Sequence, residues 1–383
     1  MKRDGTQGLN RRIYTDAFDR QTGGRQRARH VYFFLSLLAF LGCGVSMQDL
    51  PKIQEQLKAS DESERVDAVR DLGRIKDAQP QVIVPLLTDS LAKDASPSVR
   101  AQAARSLESY PDPAAEAALA HALKSDSSPM VRAAAAESIG GMHTAQAFEL
   151  LKATATSDSD VSVRQASVSS MGNLTGADVL SFLADSLRRP DVRDAAITAL
   201  AKTEAAASSP VVITALLEVA NTTSQANPAI YEIFARSGDT RVKPYLYQAI
   251  LDPRVPRETI TTIVTNLRKA GDFSFVPRLT QDLQATTDLD RRVRICQALG
   301  EFGDRAPVPV LIGLAQQNEA RDPIYTRHLI NALDAIGDPR ARDPLCSMMC
   351  NSRQKDVRSA AQSALFHNSQ SWYGNSPGCQ CKG

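Results

Sequence analysis

The chain is poor in aromatic residues. Phe, Tyr and Trp make up 5% of its 383 residues, with a single Trp, and it holds only five His and six Cys. So few large rings, in a chain rich in Ala and Leu, suit close packing of helix on helix. The sparse histidines exclude a helical metal pair. His121, His143, His328 and His367 stand alone, none with a second His three or four residues away, and no His-Glu dipeptide occurs. A Gly-rich phosphate loop is missing too. The apolar run from Val31 to Leu41 falls short of the roughly 20 residues a membrane span needs. Charge of one sign is also lacking. The net charge is +2, made of +5 in residues 1–42 and −3 in the remainder. A mildly acidic body argues against a basic stripe that tracks phosphates, and so against a nucleic-acid partner.

What the sequence does hold is a repeat. An arginine slot recurs about every 32 to 33 residues, at Arg65, Arg100, Arg132, Arg164, Arg193, Asn227, Ile260, Arg292, Thr326 and Arg358. Three residues after each slot stands a small or apolar residue (Ala68, Ala103, Ala135), and seven after it a large apolar one (Leu72, Leu107, Ile139). Residues at such offsets share a helix face, so both rows point into a stack. A period of this length means an all-α solenoid of about ten stacked helical hairpins over residues 49–366. Ser96-Pro97 and Ser128-Pro129 precede two slots as a cap followed by a first-turn proline. Each slot therefore lies near the start of a first helix, with a second helix after the next turn. Gly238-Asp239, Gly271-Asp272, Gly303-Asp304 and Gly337-Asp338 mark those turns later in the chain. On this phasing Asp49–Leu57 is a lone second helix capping the N-terminal end, and the second helices line one broad face. At the 8–10 Å spacing of packed helices, ten units extend on the order of 100 Å.

Asp94, Asp126 and Asp158 each stand six residues before Arg100, Arg132 and Arg164. The shared period of the two residue types predicts a ladder of Asp–Arg contacts between successive repeats, which Arg193 and Arg358 would continue. These are structural residues on this reading. Asp158-Ser-Asp160 and Asp288-Leu-Asp290 lack the Gly and Glu that close a calcium loop and read as solvated turns. Gly374-Asn-Ser376-Pro-Gly378 matches a serine-hydrolase elbow as text, but lacks the flanking strand and helix that motif needs.

The Val-Arg units at Val99-Arg100, Val131-Arg132, Val163-Arg164, Val192-Arg193 and Val357-Arg358 resemble the HEAT-repeat family, in particular the short repeats also found in phycobilisome lyases. The resemblance implies the solenoid fold but leaves function open, because such a scaffold serves many jobs. Iron hydroxylases built on the same architecture are disfavoured by the missing His-Glu dipeptides.

Residues 1–42 read as a leader, with a basic polar flank followed by a short apolar core. The ending Phe40-Leu41-Gly42-Cys43 resembles the bacterial lipoprotein box, which implies lipidation at Cys43 and a short linker at 43–48. Residues 367–383 form a tail. Cys346 and Cys350 are one helical turn apart, and Cys379 and Cys381 lie near the end. In an oxidising compartment two disulfides would pin the tail, with Trp372 and Tyr373, over the last repeat. Free thiols or a four-thiolate metal site are the alternatives. Cys296 reads as a buried spectator.

Together these features predict a non-catalytic scaffold on a bacterial cell envelope, lipid-anchored and facing the periplasm or exterior. It would need no cofactor or metal and would bind a protein or peptide. The rival reading is a cytoplasmic HEAT-like lyase, a chromophore-attachment component or another HEAT-repeat enzyme.

Overall fold

A computed structural model describes residues 45–222 and 227–369, together with 379 and 381. The described residues form helices and turns with no strand. Ten hairpins follow one another. The first five are α1 (Leu50–Gln56) with α2 (Glu62–Leu72), α3 (Pro80–Lys93) with α4 (Pro97–Leu107), α5 (Pro113–Ser125) with α6 (Pro129–Met142), α7 (Ala147–Ser157) with α8 (Val161–Ser170), and α9 (Ala177–Ser186) with α10 (Arg193–Lys202). A short α11 (Glu204–Ser208) then leads into α12 (Pro210–Thr222) with α13 (Pro228–Ser237). The last four are α14 (Lys243–Leu251) with α15 (Arg257–Lys269), α16 (Val276–Ala285) with α17 (Leu289–Phe302), α18 (Val308–Asn318) with α19 (Pro323–Ile336), and α20 (Arg342–Asn351) with α21 (Lys355–His367).

The pairing corrects the phase of the repeat. Each arginine-bearing helix packs more closely on the helix before it than on the one after it, so it is the trailing member of its hairpin. Asp49–Leu57 is accordingly no lone cap: α1 pairs with α2 as the first full hairpin. The period is the same wherever the unit is cut, so spacing alone cannot tell the tight turn from the loose one.

Local signals explain the helix ends. Ser96, Asp112 and Asp160 accept hydrogen bonds from the N–H groups of Ser98, Ala114 and Ser162 at the starts of α4, α5 and α8. Ser128 does not cap α6 with its side chain; its N–H instead donates to the Asp126 carboxylate at 2.8 Å. Gly238 and Gly303 end α13 and α17 in the left-handed region, at φ 66° and 67°.

The two inward rows are buried along the whole stack, from Ala68 and Leu72 to Ala361 and Leu365. They belong to one continuous apolar core running from Ile53 to Leu365. Successive trailing helices approach each other more closely than successive leading helices do. Small residues permit this: a Cβ on Gly140 would meet the Ser170 carbonyl oxygen at 2.7 Å. On the leading side, clefts of about 450 and 540 Å³ open between α1 and α3 and between α3 and α5. A stack that is tight on one side and splayed on the other bends toward the tight side. The trailing helices therefore line the inner face, so the broad face expected for the second helices belongs to the arginine-bearing ones.

Candidate functional site

Seven slots hold arginine, and all seven guanidiniums do the same thing first. Each donates to a backbone carbonyl about six residues earlier, at the end of its own leading helix. The acceptors are Ala59, Asp94, Asp126, Asp158, Leu187, Thr286 and Ser352 for Arg65, Arg100, Arg132, Arg164, Arg193, Arg292 and Arg358, at 2.7–3.0 Å. A cation at a helix C-terminus satisfies an orphan carbonyl and meets the negative end of the dipole.

Four of the seven also reach the next hairpin. Arg100 donates Nε–H and Nη2–H to the two carboxylate oxygens of Asp126 at 2.8 and 2.9 Å. Arg132 grips Asp158 in the same two-pronged way, Arg65 grips Asp94, and Arg164 donates to Asp191. Each of Asp94, Asp126 and Asp158 also accepts an N–H from its own turn. Burial pushes the carboxyls of Asp94 and Asp126 upward, but the guanidinium and backbone hydrogen bonds outweigh it and hold both below the usual range. Asp158 is lowered first by its hydrogen bond from Arg132. These guanidiniums are engaged on both edges, so the ladder ties hairpins together and offers no ready group to a ligand.

The ladder differs from its spacing in two ways. Asp191 stands two residues before Arg193 rather than six, so the six-residue rule misses it. Among the described residues Arg193 and Arg358 have no carboxylate partner and bond only to carbonyls. Sequence reasoning also missed Arg294. It is 3% exposed and donates to the carbonyls of Ile250 and Ala249 at 2.8 and 3.1 Å, closing the end of α14. Nothing in Arg291-Arg292-Val293-Arg294 marks which arginine turns inward. In the later repeats a second set of ties appears, with Lys243 on Asp272 at 2.7 Å and Arg340, held by the buried Asp338 of its own turn, donating to the Arg305 carbonyl of the preceding hairpin at 2.8 Å.

The inner face carries a row five residues after each slot. It reads Arg70, Arg105, Glu137, Ser169, Thr198, Glu232, Thr265, Gln297, Asn331 and Ser363, half-buried or exposed throughout. Arg105 pairs with Glu137 across two hairpins at 3.3 Å. Gln297 donates to the Arg257 carbonyl at 3.1 Å. The row is polar and has no dominant sign.

The cysteines of the last hairpin meet the tail. Cys346 is bonded to Cys379 and Cys350 to Cys381, with Cα atoms 5.7 and 5.2 Å apart. Cys296 is buried, and burial pushes its thiol up to about 12. Cys43, Trp372, Tyr373 and the Gly374–Gly378 segment lie outside the described residues. The acidic turns serve the helices, since Asp160 caps α8 and Asp288 caps α17. The histidines remain apart; His367 meets Asp334 at 3.0 Å, and burial lowers His328. Among the described residues no group of three or more His, Cys, Asp or Glu could hold a metal ion, and no helix is long and apolar enough to cross a membrane.

The family model for HEAT repeats matches residues 50–140, 116–201 and 276–365. No curated protein matches the sequence. Among solved structures, Kap121p aligns with a TM-score of 0.55 at 13% identity, over 85% of this chain and 41% of that one. Importin beta aligns at 16% identity with a TM-score of 0.47, over 84% and 52%. Human deoxyhypusine hydroxylase aligns at 21% identity with a TM-score of 0.31, over 76% and 97%. The chain thus spans about half the length of the importin beta structure or less of Kap121p's. At these identities the likeness is one of fold.

Proposed function

Because the chain belongs to the HEAT-repeat family, we propose that it is a non-catalytic scaffold that holds a protein partner along its inner face. The observation that carries this is the close stacking of the trailing helices, which makes their outward rows one continuous surface. Extended faces of this kind suit extended partners. The mixed polar row from Arg70 to Ser363 favours a polypeptide over a polyanion, which would call for a basic stripe.

We further propose that the scaffold is exported and lipid-anchored through Cys43, on a bacterial cell envelope. The basic flank and short apolar core before Cys43 support that part. Intact mass of protein extracted from membranes tests it. A chain starting at Cys43 and carrying acyl groups is expected; a full-length chain in the soluble fraction would overturn the anchor.

The face itself is tested by photo-crosslinking in cells, with the reactive residue placed at Thr198 or Asn331, both exposed on the inner face, and at Glu149, exposed on α7. The same partner captured from both inner positions and not from Glu149 is expected. Equal capture from Glu149 would remove the inner face from the proposal.

A further inference from the structure

Among the described residues no slot arginine beyond Arg164 reaches a carboxylate of the next hairpin, and where the sixth hairpin meets the seventh the missing rung coincides with a cleft. Asp252 ends α14 as Asp94, Asp126 and Asp158 end α3, α5 and α7. Those three aspartates each receive a guanidinium from the slot of the preceding hairpin. The slot before Asp252 is Asn227, whose short side chain caps α13 by accepting from the Ala229 N–H at 3.0 Å. Moreover, α4, α6 and α8 start three residues before their slots, whereas α13 starts at Pro228, just after its own. The rung therefore lacks both its first helical turn and its arginine. A cleft of about 610 Å³ lies at this point, bordered by Asn227, Tyr231, Tyr245, Asp252 and Asp288.

We propose that this cleft docks an arginine side chain of a partner polypeptide, which completes the rung in trans. Asp252 presents the same helix-ending carboxylate that takes a guanidinium in three other hairpins. Tyr231 and Tyr245 add ring faces on which a guanidinium can stack. The lining carries three carboxylates, with Asp290 the third, against two guanidiniums, Arg254 and Arg291, so its balance is acidic. Arg254, from the same turn, already holds Asp252 in a two-pronged grip, with Nε–H on Oδ1 at 3.0 Å and Nη2–H on Oδ2 at 2.7 Å, while its own side chain is 66% exposed. It acts as a local placeholder that an incoming guanidinium displaces or joins. Lysine fits less well, because a point charge cannot make the two-pronged contact seen at Asp126 and Asp158. This site lies on the turn edge of the stack, away from the inner face, so it stands or falls separately from the scaffold reading.

The test titrates the full-length chain with a labelled Gly-Ser nonapeptide bearing one central arginine, and with the same peptide bearing lysine or glutamine there. The arginine peptide is expected to bind at least about tenfold more tightly than the other two. Asp252→Asn is expected to weaken it by about tenfold or more. Arg254→Ala, a change at an exposed side chain, is expected to tighten it several-fold by freeing Asp252. Equal binding of the glutamine peptide overturns the proposal. So does weaker binding by Arg254→Ala, which would make Arg254 the anchor of an anionic ligand instead. If Asp252→Asn does not fold, as read by circular dichroism, the Arg254→Ala result decides.

Discussion

At the residue scale, Arg132 is engaged on both edges. Its side chain and that of Asp158 are 12% and 9% exposed, and it also closes the end of α5 through the Asp126 carbonyl. Arg132→Ala would strand a buried carboxylate and a carbonyl, and is expected to cost about 3 kcal/mol in urea unfolding. A loss under about 0.5 kcal/mol, the scale of a solvated surface pair, would show that the rung is ornamental. The same pairs set an acid response. Asp94, Asp126 and Asp158 have carboxyls held below their usual range. Their contribution is therefore fully present above the unfolded value of about 4 and is lost as pH falls through the lowered folded values. Melting temperature should fall steeply below about pH 4, and Asp158→Asn should flatten part of that fall while lowering stability at neutral pH. Much of this was legible in the sequence, because arginine and aspartate recur with one period. Asp191 and Arg294 were not, since a two-residue shift within a turn and an inward rotamer leave no trace in spacing.

At the element scale, the packing of trailing helix on trailing helix depends on residues without bulk. Gly140 of α6 faces Ser170 of α8 so closely that an added methyl would meet backbone. Gly140→Ala is expected to destabilise by about 1–3 kcal/mol through overpacking, although Ala is the better helix former. A melt showing stabilisation would mean that the two helices can part freely. The helices themselves were readable from Ser96-Pro97, Asp112-Pro113 and the Gly-Asp turns. The hairpin partner of each was not, because a repeat of fixed period has no intrinsic beginning. What decides it is the reach of the slot arginine back over six residues, a contact that exists only once the tight turn has formed. The inner face is illegible in the sequence for the same reason. Which layer packs tightly depends on Gly140 and its neighbours meeting across hairpins, a long-range fact.

At the scale of the whole molecule, each hairpin touches only its neighbours, so stability is local and propagates along the stack. Rungs from slot arginine to carboxylate join the first five hairpins and stop at Arg193, and the next two slots, Asn227 and Ile260, carry no arginine at all. Hydrogen exchange is therefore expected to open α12 to α15 before α4 to α8. Uniform protection along the chain would show that core burial alone sets local stability. The far end is fastened differently. Two disulfides hold Cys379 and Cys381 to α20, and the later ties run from Lys243 to Asp272 and from Arg340 to the Arg305 carbonyl.

The position of the rungs has a mechanical consequence. All four lie on one edge of the stack, where leading helix turns into trailing helix, and none lies on the opposite edge. The first five hairpins are thus bound along one side, as pages are by a spine, whereas Lys243–Asp272 and Arg305–Asp338 stitch the opposite edge of the later ones. Bending that fans the free edge costs loop contacts, whereas bending that opens the bound edge must pull guanidinium from carboxylate. Shape change on engaging a partner should therefore pivot about the bound edge through hairpins one to five. Beyond Arg164 the slot arginines add no carboxylate stitch to that spine, and the more exposed Arg188–Glu218 pair joins the fifth hairpin to the sixth.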